Sequence, residues 1–288
     1  MREINELSDE ALLSSARDAL ESDLIDLCYS IVNIMASRPG FDKAVIRELS
    51  EEIQYKKANK KFFHVVVNGD SLSLPIAWKY SANPIIDPKL SVKFEETYPF
   101  LIESWLRDNT GFERIEVTNL STYSATIDIV KKRLDLVLHY LNGDVIIQQC
   151  GLVDCFYRED NEGKVFQNYN LEEFSEKYKQ VLEYKDFTAQ PKPYYALSIM
   201  PLDSKTRHIE TQKIIPEYNK VLSSYDYKNV EYVDLAADLG GDEIDGLLHP
   251  DGQHLNKDGH RNAADKIIKL LEIELKGASR EQELQLVN

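Results

Sequence analysis

A chain of 288 residues is long enough to bury a sizeable core without disulfides or a structural metal. Its 49 acidic against 34 basic residues give a formal net charge of −15, which argues against a nucleic-acid backbone or an anionic membrane surface as the main partner. Three cysteines, Cys28, Cys150 and Cys155, form no CxxC, so no disulfide framework is expected and a reducing compartment fits.

From the N-terminus, MREINELSDE is polar and acidic and lacks the basic and apolar regions of a secretory signal. Residues 8–36 read as one helix, with Ser8 as N-cap, Asp9 and Glu10 in the first turn, and Leu13, Ala16, Leu20, Leu24, Leu27 and Ile31 at three- and four-residue spacing. Leu24–Ala36 is too short and too polar to span a bilayer, so the expected location is the cytoplasm. Arg38-Pro39-Gly40 stops the helix, a second covers Asp42–Tyr55, and Lys56–Lys61 reads as a solvated basic turn. Residues 1–60 therefore form a helical extension, whose apolar stripe offers a route to self-association.

Beyond it the pattern changes. Five short β-rich runs appear, at Phe62–Val67, Arg114–Thr118, Asp144–Gln149, Tyr194–Met200 and Val230–Leu235. Segments with helical periodicity lie between and after them: Glu95–Arg107, Ile127–Tyr140, Leu171–Lys185, Thr206–Tyr225 and Lys257–Leu275. Strands alternating with helices predict a three-layer α/β/α domain over residues 61–277, built on a five-stranded, mostly parallel sheet, and residues 278–288 read as a polar tail. The runs FHVVV and VIIQQ are nearly unbroken, as strands buried on both faces are. Ligands of such sheets sit beyond the C-terminal ends of the strands.

Two blocks at those ends carry chemistry. The first strand runs into Asn68-Gly69-Asp70-Ser71-Leu72, where a turn exposes a serine hydroxyl at the top of the sheet; the alternative is a Gly-Asp turn with an N-cap serine. Just before the last helix stands His249-Pro250-Asp251-Gly252-Gln253-His254, in which Asp251 can accept the Nδ1 proton of His254 and leave Nε2 free to take a proton from a serine. Read as a pair, Ser71, His254 and Asp251 supply nucleophile, base and orienter; read singly, they are a turn and a helix cap.

Gly69-Asp70-Ser71-Leu72 after the first strand, with Asp251-x-x-His254 before the last helix, resembles the SGNH/GDSL hydrolases. The resemblance covers about residues 62–277. It implies a flavodoxin-like sheet, ester hydrolysis or acyl transfer, often on carbohydrates, with Ser71 as nucleophile, His254 as base and Asp251 as its orienter. It also implies an oxyanion site built on the backbone N–H groups of Ser71 and, from the second block, Ser124, which stands where the family has glycine. The third block, Gly-x-Asn-Asp in the family, is Gly151-Leu152-Val153-Asp154 here, and a valine cannot donate the hydrogen bond of the missing asparagine. Gly151–Arg158 with Glu96–Pro99 resembles a subgroup associated with bacterial surface-polysaccharide synthesis, which places Arg158, Val153 and Asp154 at a substrate pocket, the arginine facing a carboxylate or phosphate; the alternative for Arg158 is a surface loop.

His260 is expected on the solvent side of the last helix, and His249 as a turn residue or substrate contact. No metal or other cofactor is expected, since no His, Cys or Asp set has ligand spacing and Gly240-Gly241 lacks the context of a phosphate loop. The expected activity is a serine-dependent esterase acting on an acyl, first of all an acetyl, ester of a small molecule or glycan precursor. The alternatives are an O-acyltransferase with the same triad and a catalytically degenerate binding protein.

Overall fold

The computed structural model describes residues 7–286 apart from 23–24, 39, 59–61, 77–88, 142, 160–161, 188–191, 206–207 and 228. At its centre is a five-stranded, all-parallel sheet of β1 (Phe62–Gly69), β2 (Arg114–Asn119), β3 (Val145–Gln149), β6 (Tyr194–Leu197) and β7 (Val230–Val233), in the order β2-β1-β3-β6-β7. A two-stranded antiparallel hairpin, β4 (Arg158–Glu159) and β5 (Val165–Phe166), stands apart from the sheet. The central strands are built of β-branched and aromatic residues because both of their faces are covered. Val65, Val67, Val145, Ile147, Tyr195 and Leu197 point to one side, against α4 (Tyr98–Asn109) and α10 (Lys257–Leu286). Val66, Ile146, Tyr194 and Ala196 alternate to the other, against α5 (Ile127–Lys132), α7 (Leu171–Phe187) and α8 (Ile209–Ser223). The expected three-layer α/β/α architecture is present.

The chain leaves β1 for β2 on one side and returns to β3 on the other, so the strand order reverses at β1 and β3. Their register pairs Gly69 with Gln149, and the crevice beyond those two residues is the topological switch point at which ligands of open α/β sheets bind. The short α6 (Leu152–Cys155) follows β3 there, and α9 (Gly241–Leu247) precedes the loop that enters α10.

Several boundaries differ from the sequence reading. The single helix expected over residues 8–36 is an antiparallel pair, α1 (Asp9–Glu21) and α2 (Ile25–Ser37), followed by α3 (Lys43–Ala58). Arg38 at the end of α2 donates to Leu7 O and Asp9 Oδ1 at the start of α1, and Lys56 on α3 donates to Leu20 O at the end of α1. The apolar spacing ran through the reversal because both helices face one small core, of which Leu12, Ala16, Leu20, Cys28, Ile31, Met35, Leu49 and Ile53 are part; Leu27, read as part of the stripe, is exposed. That core is separate from the two beneath the sheet's helices. Of the expected basic turn, Lys56–Ala58 is helical and the rest lies outside the described residues. The helix expected over Ile127–Tyr140 ends at Lys132 and resumes as a wider π-helical turn at Leu136–Leu141, and α10 continues to Leu286, through most of the expected tail. Thr206 lies outside the described residues, and α8 begins at Ile209.

Candidate active site

β1 ends at Gly69, a position where nothing larger fits. A Cβ there would lie 2.9 Å from Gln149 O, 3.1 Å from Ser121 Oγ and 3.2 Å from Ser73 Oγ. The Asp70 side chain caps the following turn, Ser71–Ser73, by accepting the Leu72 N–H at 2.9 Å. Ser73 fastens the turn from below, bonded to Tyr98 Oη at 2.6 Å and donating to Gln149 Oε1 at 3.1 Å. Ser71 is left at the rim, 8% exposed.

Ser71 Oγ lies 2.9 Å from His254 Nε2, and His254 Nδ1 lies 2.8 Å from Asp251 Oδ2. The other carboxylate oxygen of Asp251 accepts the backbone N–H groups of Gln253 at 2.9 Å and His254 at 3.0 Å. Burial pushes the Asp251 carboxyl upward, but the close imidazoles of His249 and His254 outweigh it and hold it well below the usual carboxylate range. The carboxylate is therefore charged and oriented for an imidazolium, and the three residues 183 and 3 positions apart in sequence form one hydrogen-bonded line.

The second-block turn is tied to the end of β1 by Thr122 N–H donating to Gly69 O at 3.3 Å. Within it Ser124 has φ +59°, a left-handed conformation that glycine adopts without strain, at the position the family fills with glycine. The third block opens at Gly151, φ +115°, where a Cβ would meet Ile199 Cδ1 at 2.6 Å. Val153 is buried on α6, and its carbonyl accepts Asn168 Nδ2 at 2.7 Å; Asn168 Oδ1 in turn accepts Arg158 Nη1 at 3.4 Å. Arg158 is thus joined to the third block through Asn168.

Asp154 is not where a substrate contact belongs. It is fully buried, and its two carboxylate oxygens share the Ile127 N–H at 3.0 and 3.2 Å. It thereby pins the N-terminus of α5, and the Ser124 turn before it, to the third block. Burial pushes its carboxyl up to about 7, with Asp70 and Asp128 adding to the rise. Asp70 is pushed by burial to about 7 as well.

His260 also departs from expectation: it is fully buried, and its Nδ1 accepts the Tyr98 N–H at 3.2 Å. Burial, with His254 nearby, lowers it to about 3. The signal was present, since residue 260 precedes Ala263, Ala264, Ile267 and Leu271 on the same helical stripe. His249 is buried too, with Nδ1 3.3 Å from Asp251 Oδ2; its place two residues before Asp251 in a tight loop was the readable hint. Among the described residues no group of three His, Cys, Asp or Glu could hold a metal ion, and no helix is long and apolar enough to cross a membrane.

A parallel α/β sheet with a Ser–His–Asp line beyond its strand ends defines the serine-hydrolase class of α/β proteins. The profile of the GDSL-like Lipase/Acylhydrolase family matches residues 36–267, and the chain belongs to that family; it is an ester hydrolase. Among solved structures it is similar in fold to two mutants of one protein, Axe2 of Geobacillus stearothermophilus, described as an acetyl-xylooligosaccharide esterase (16% identity, TM-score 0.54) and as an acetylxylan esterase (14%, TM-score 0.53); each match covers 72% of this chain and 93% of the other. LAE5, an alpha/beta hydrolase enzyme from the metagenome of Lake Arreo, matches at 16% identity over 72% of this chain and 94% of that one, with a TM-score of 0.51. No curated protein matches.

Proposed function

We propose that Ser71 is the nucleophile, His254 the general base and Asp251 its orienter, in hydrolysis of an acyl ester, first of all an acetyl ester, on a carbohydrate or glycan precursor. The observation that carries this is the Ser71 Oγ–His254 Nε2 contact of 2.9 Å backed by Asp251 at 2.8 Å. Ser71 attacks the ester carbonyl as its proton passes to His254 Nε2. The imidazolium so formed faces the Asp251 carboxylate. The tetrahedral oxyanion is held by the backbone N–H groups of Ser71 and Ser124. His254 then protonates the departing alcohol, and water, activated by the same imidazole, releases the acid and restores Ser71.

The carbohydrate assignment is supported by the resemblance of Gly151–Arg158 and Glu96–Pro99 to proteins of surface-polysaccharide synthesis, and by the acetylated-xylan substrate named for one protein of similar fold, Axe2. Arg158, half-buried beside the third block, suits a carboxylate or phosphate on such a glycan. On this reading the work is done in the cytoplasm, before export of the glycan. Val153 favours a second reading, a site slow toward simple esters, because one oxyanion donor of the family is missing and such a donor is worth on the order of 3 kcal/mol. The test is hydrolysis of an aryl acetate and of acetylated oligosaccharides by the protein and by Ser71→Ala. Turnover lost in S71A, together with labelling by a serine-directed phosphonate, is the expected result. Equal turnover by both proteins would place the chemistry elsewhere.

A further inference from the structure

We propose that His249 is a positioning residue of this site: a second imidazole that, with His254, grips Asp251 and moderates how strongly that carboxylate supports the base. The proposal rests on Ser71, His254 and Asp251 being the catalytic set.

The geometry is that of a loop closed around one carboxylate. Asp251 Oδ2 lies 2.8 Å from His254 Nδ1 and 3.3 Å from His249 Nδ1, while Oδ1 takes two backbone N–H groups. The His249 side chain is wholly buried, whereas those of Asp251 and His254 are 25% and 23% exposed. The two imidazoles come from opposite arms of the loop. His249 N–H donates to His254 O at 2.7 Å, Gly252 N–H to His249 O at 2.8 Å, and Leu248 bridges Leu255 just outside. A polar ring taken fully out of water is costly unless it is bonded, and a leucine would fill the same space at no such cost. The carboxylate is what the ring is there to meet.

The consequence is electrostatic as well as steric. The His249 ring, 3.3 Å from Oδ2, limits rotation of the carboxylate plane and competes with His254 for its negative charge. The carboxylate therefore keeps its orientation toward His254 while less of its charge falls on that ring. The other titratable groups facing His254 are Asp70, from the turn after β1, and His260, from α10, itself facing Glu96. All three remain in place in the variants below, so a change in pH dependence reports on His249.

The experiment is kcat and KM for an aryl acetate across pH, with melting temperatures, for the full chain, His249→Asn and His249→Leu. Asparagine carries an N–H at the position of Nδ1; leucine has similar bulk and no donor. H249L should lose kcat roughly tenfold or more, well short of the ~10⁴ that loss of the orienting carboxylate function costs in a Ser-His-Asp set, with KM little changed. Its acid limb in kcat/KM should move to higher pH, since the unshared carboxylate favours the imidazolium. H249N should keep the wild-type limb and most of kcat. Equal losses in both variants with an unmoved limb would mean that the ring only packs, and a wild-type profile in H249L would mean that it does nothing; either overturns the proposal. Should H249L not fold, His249→Gln, whose N–H sits one bond too far out, replaces it with the same expectations. Failure of the underlying triad shows differently, as wild-type turnover that survives Ser71→Ala.

Discussion

Gly151 should be the residue of the third block least tolerant of change, for reasons of backbone and space. Its φ of +115° with ψ −31° lies outside the regions open to L-residues, and strain of that kind costs about 1–3 kcal/mol. An added Cβ would also stand 2.6 Å from Ile199 Cδ1 and 3.1 Å from Ile199 Cγ1, in a core where Ile199 is 1% exposed; overpacking of this sort costs about 1–3 kcal/mol more. Gly151→Ala should therefore lose roughly 4 kcal/mol, a fall in melting temperature of roughly 10 °C for a chain of this size. Part of the loss should be recoverable. Ile199→Val removes Cδ1, at a cost of about 1 kcal/mol by itself, and should relieve the closest contact in the double variant. Thermal unfolding of the two single variants and the double closes the cycle, with an expected favourable coupling of about 1–2 kcal/mol. Activity should fall with G151A, because Gly151 O receives the Cys155 N–H at 2.9 Å and so seats α6, on which Asp154 holds Ile127. A G151A protein melting within about 2 °C of wild type, or a double variant whose losses simply add, would refute the reasoning.

Three further outcomes are expected. Val153→Asn restores the third-block amide, and kcat on an aryl ester should rise by up to ~100-fold if the side chain faces the oxyanion; a stable variant with no gain would show that it does not. Burial that lifts Asp154 from 3.8 to about 7 means the folded protein binds that proton more tightly than the unfolded chain, so stability is given up as pH rises from about 4 to about 7 and stays low above. Asp154→Asn, whose Oδ1 can still accept from Ile127, should lose less melting temperature between pH 5 and pH 8 than wild type, what remains combining Asp70, which acts in the same sense, with the buried His64 and His260, which act in the opposite one; an unchanged slope would contradict the assignment. A chain beginning at Phe62 should fold and keep kcat, because the core of α1, α2 and α3 is separate from those flanking the sheet; a folded, inactive truncation would show that the helices shape the site.

Much of the fold was legible because its signals are local. Unbroken runs such as VIIQQ mark strands with two covered faces, and Ala264, Ile267 and Leu271 mark the face of α10, whatever lies across from them. The end blocks were legible for a related reason: a GDSL turn after one strand and a D-x-x-H loop before the last helix are short, stereotyped pieces of chain. Local spacing could not reveal the reversal between α1 and α2, since two helices packed on one core keep the apolar period of one longer helix. Nor could it place His260, Asp154 or His249. A polar residue is buried or exposed according to whether some distant group can bond it. Those partners, Tyr98 N–H for His260 and Ile127 N–H for Asp154, are 162 and 27 residues away, so they exist only once the chain has folded. His249 is the instructive intermediate. Its partner is two residues off, yet its ring reaches Asp251 Oδ2 because the loop is closed by His249 N–H on His254 O, and the depth of the surrounding core decides that the ring itself is buried.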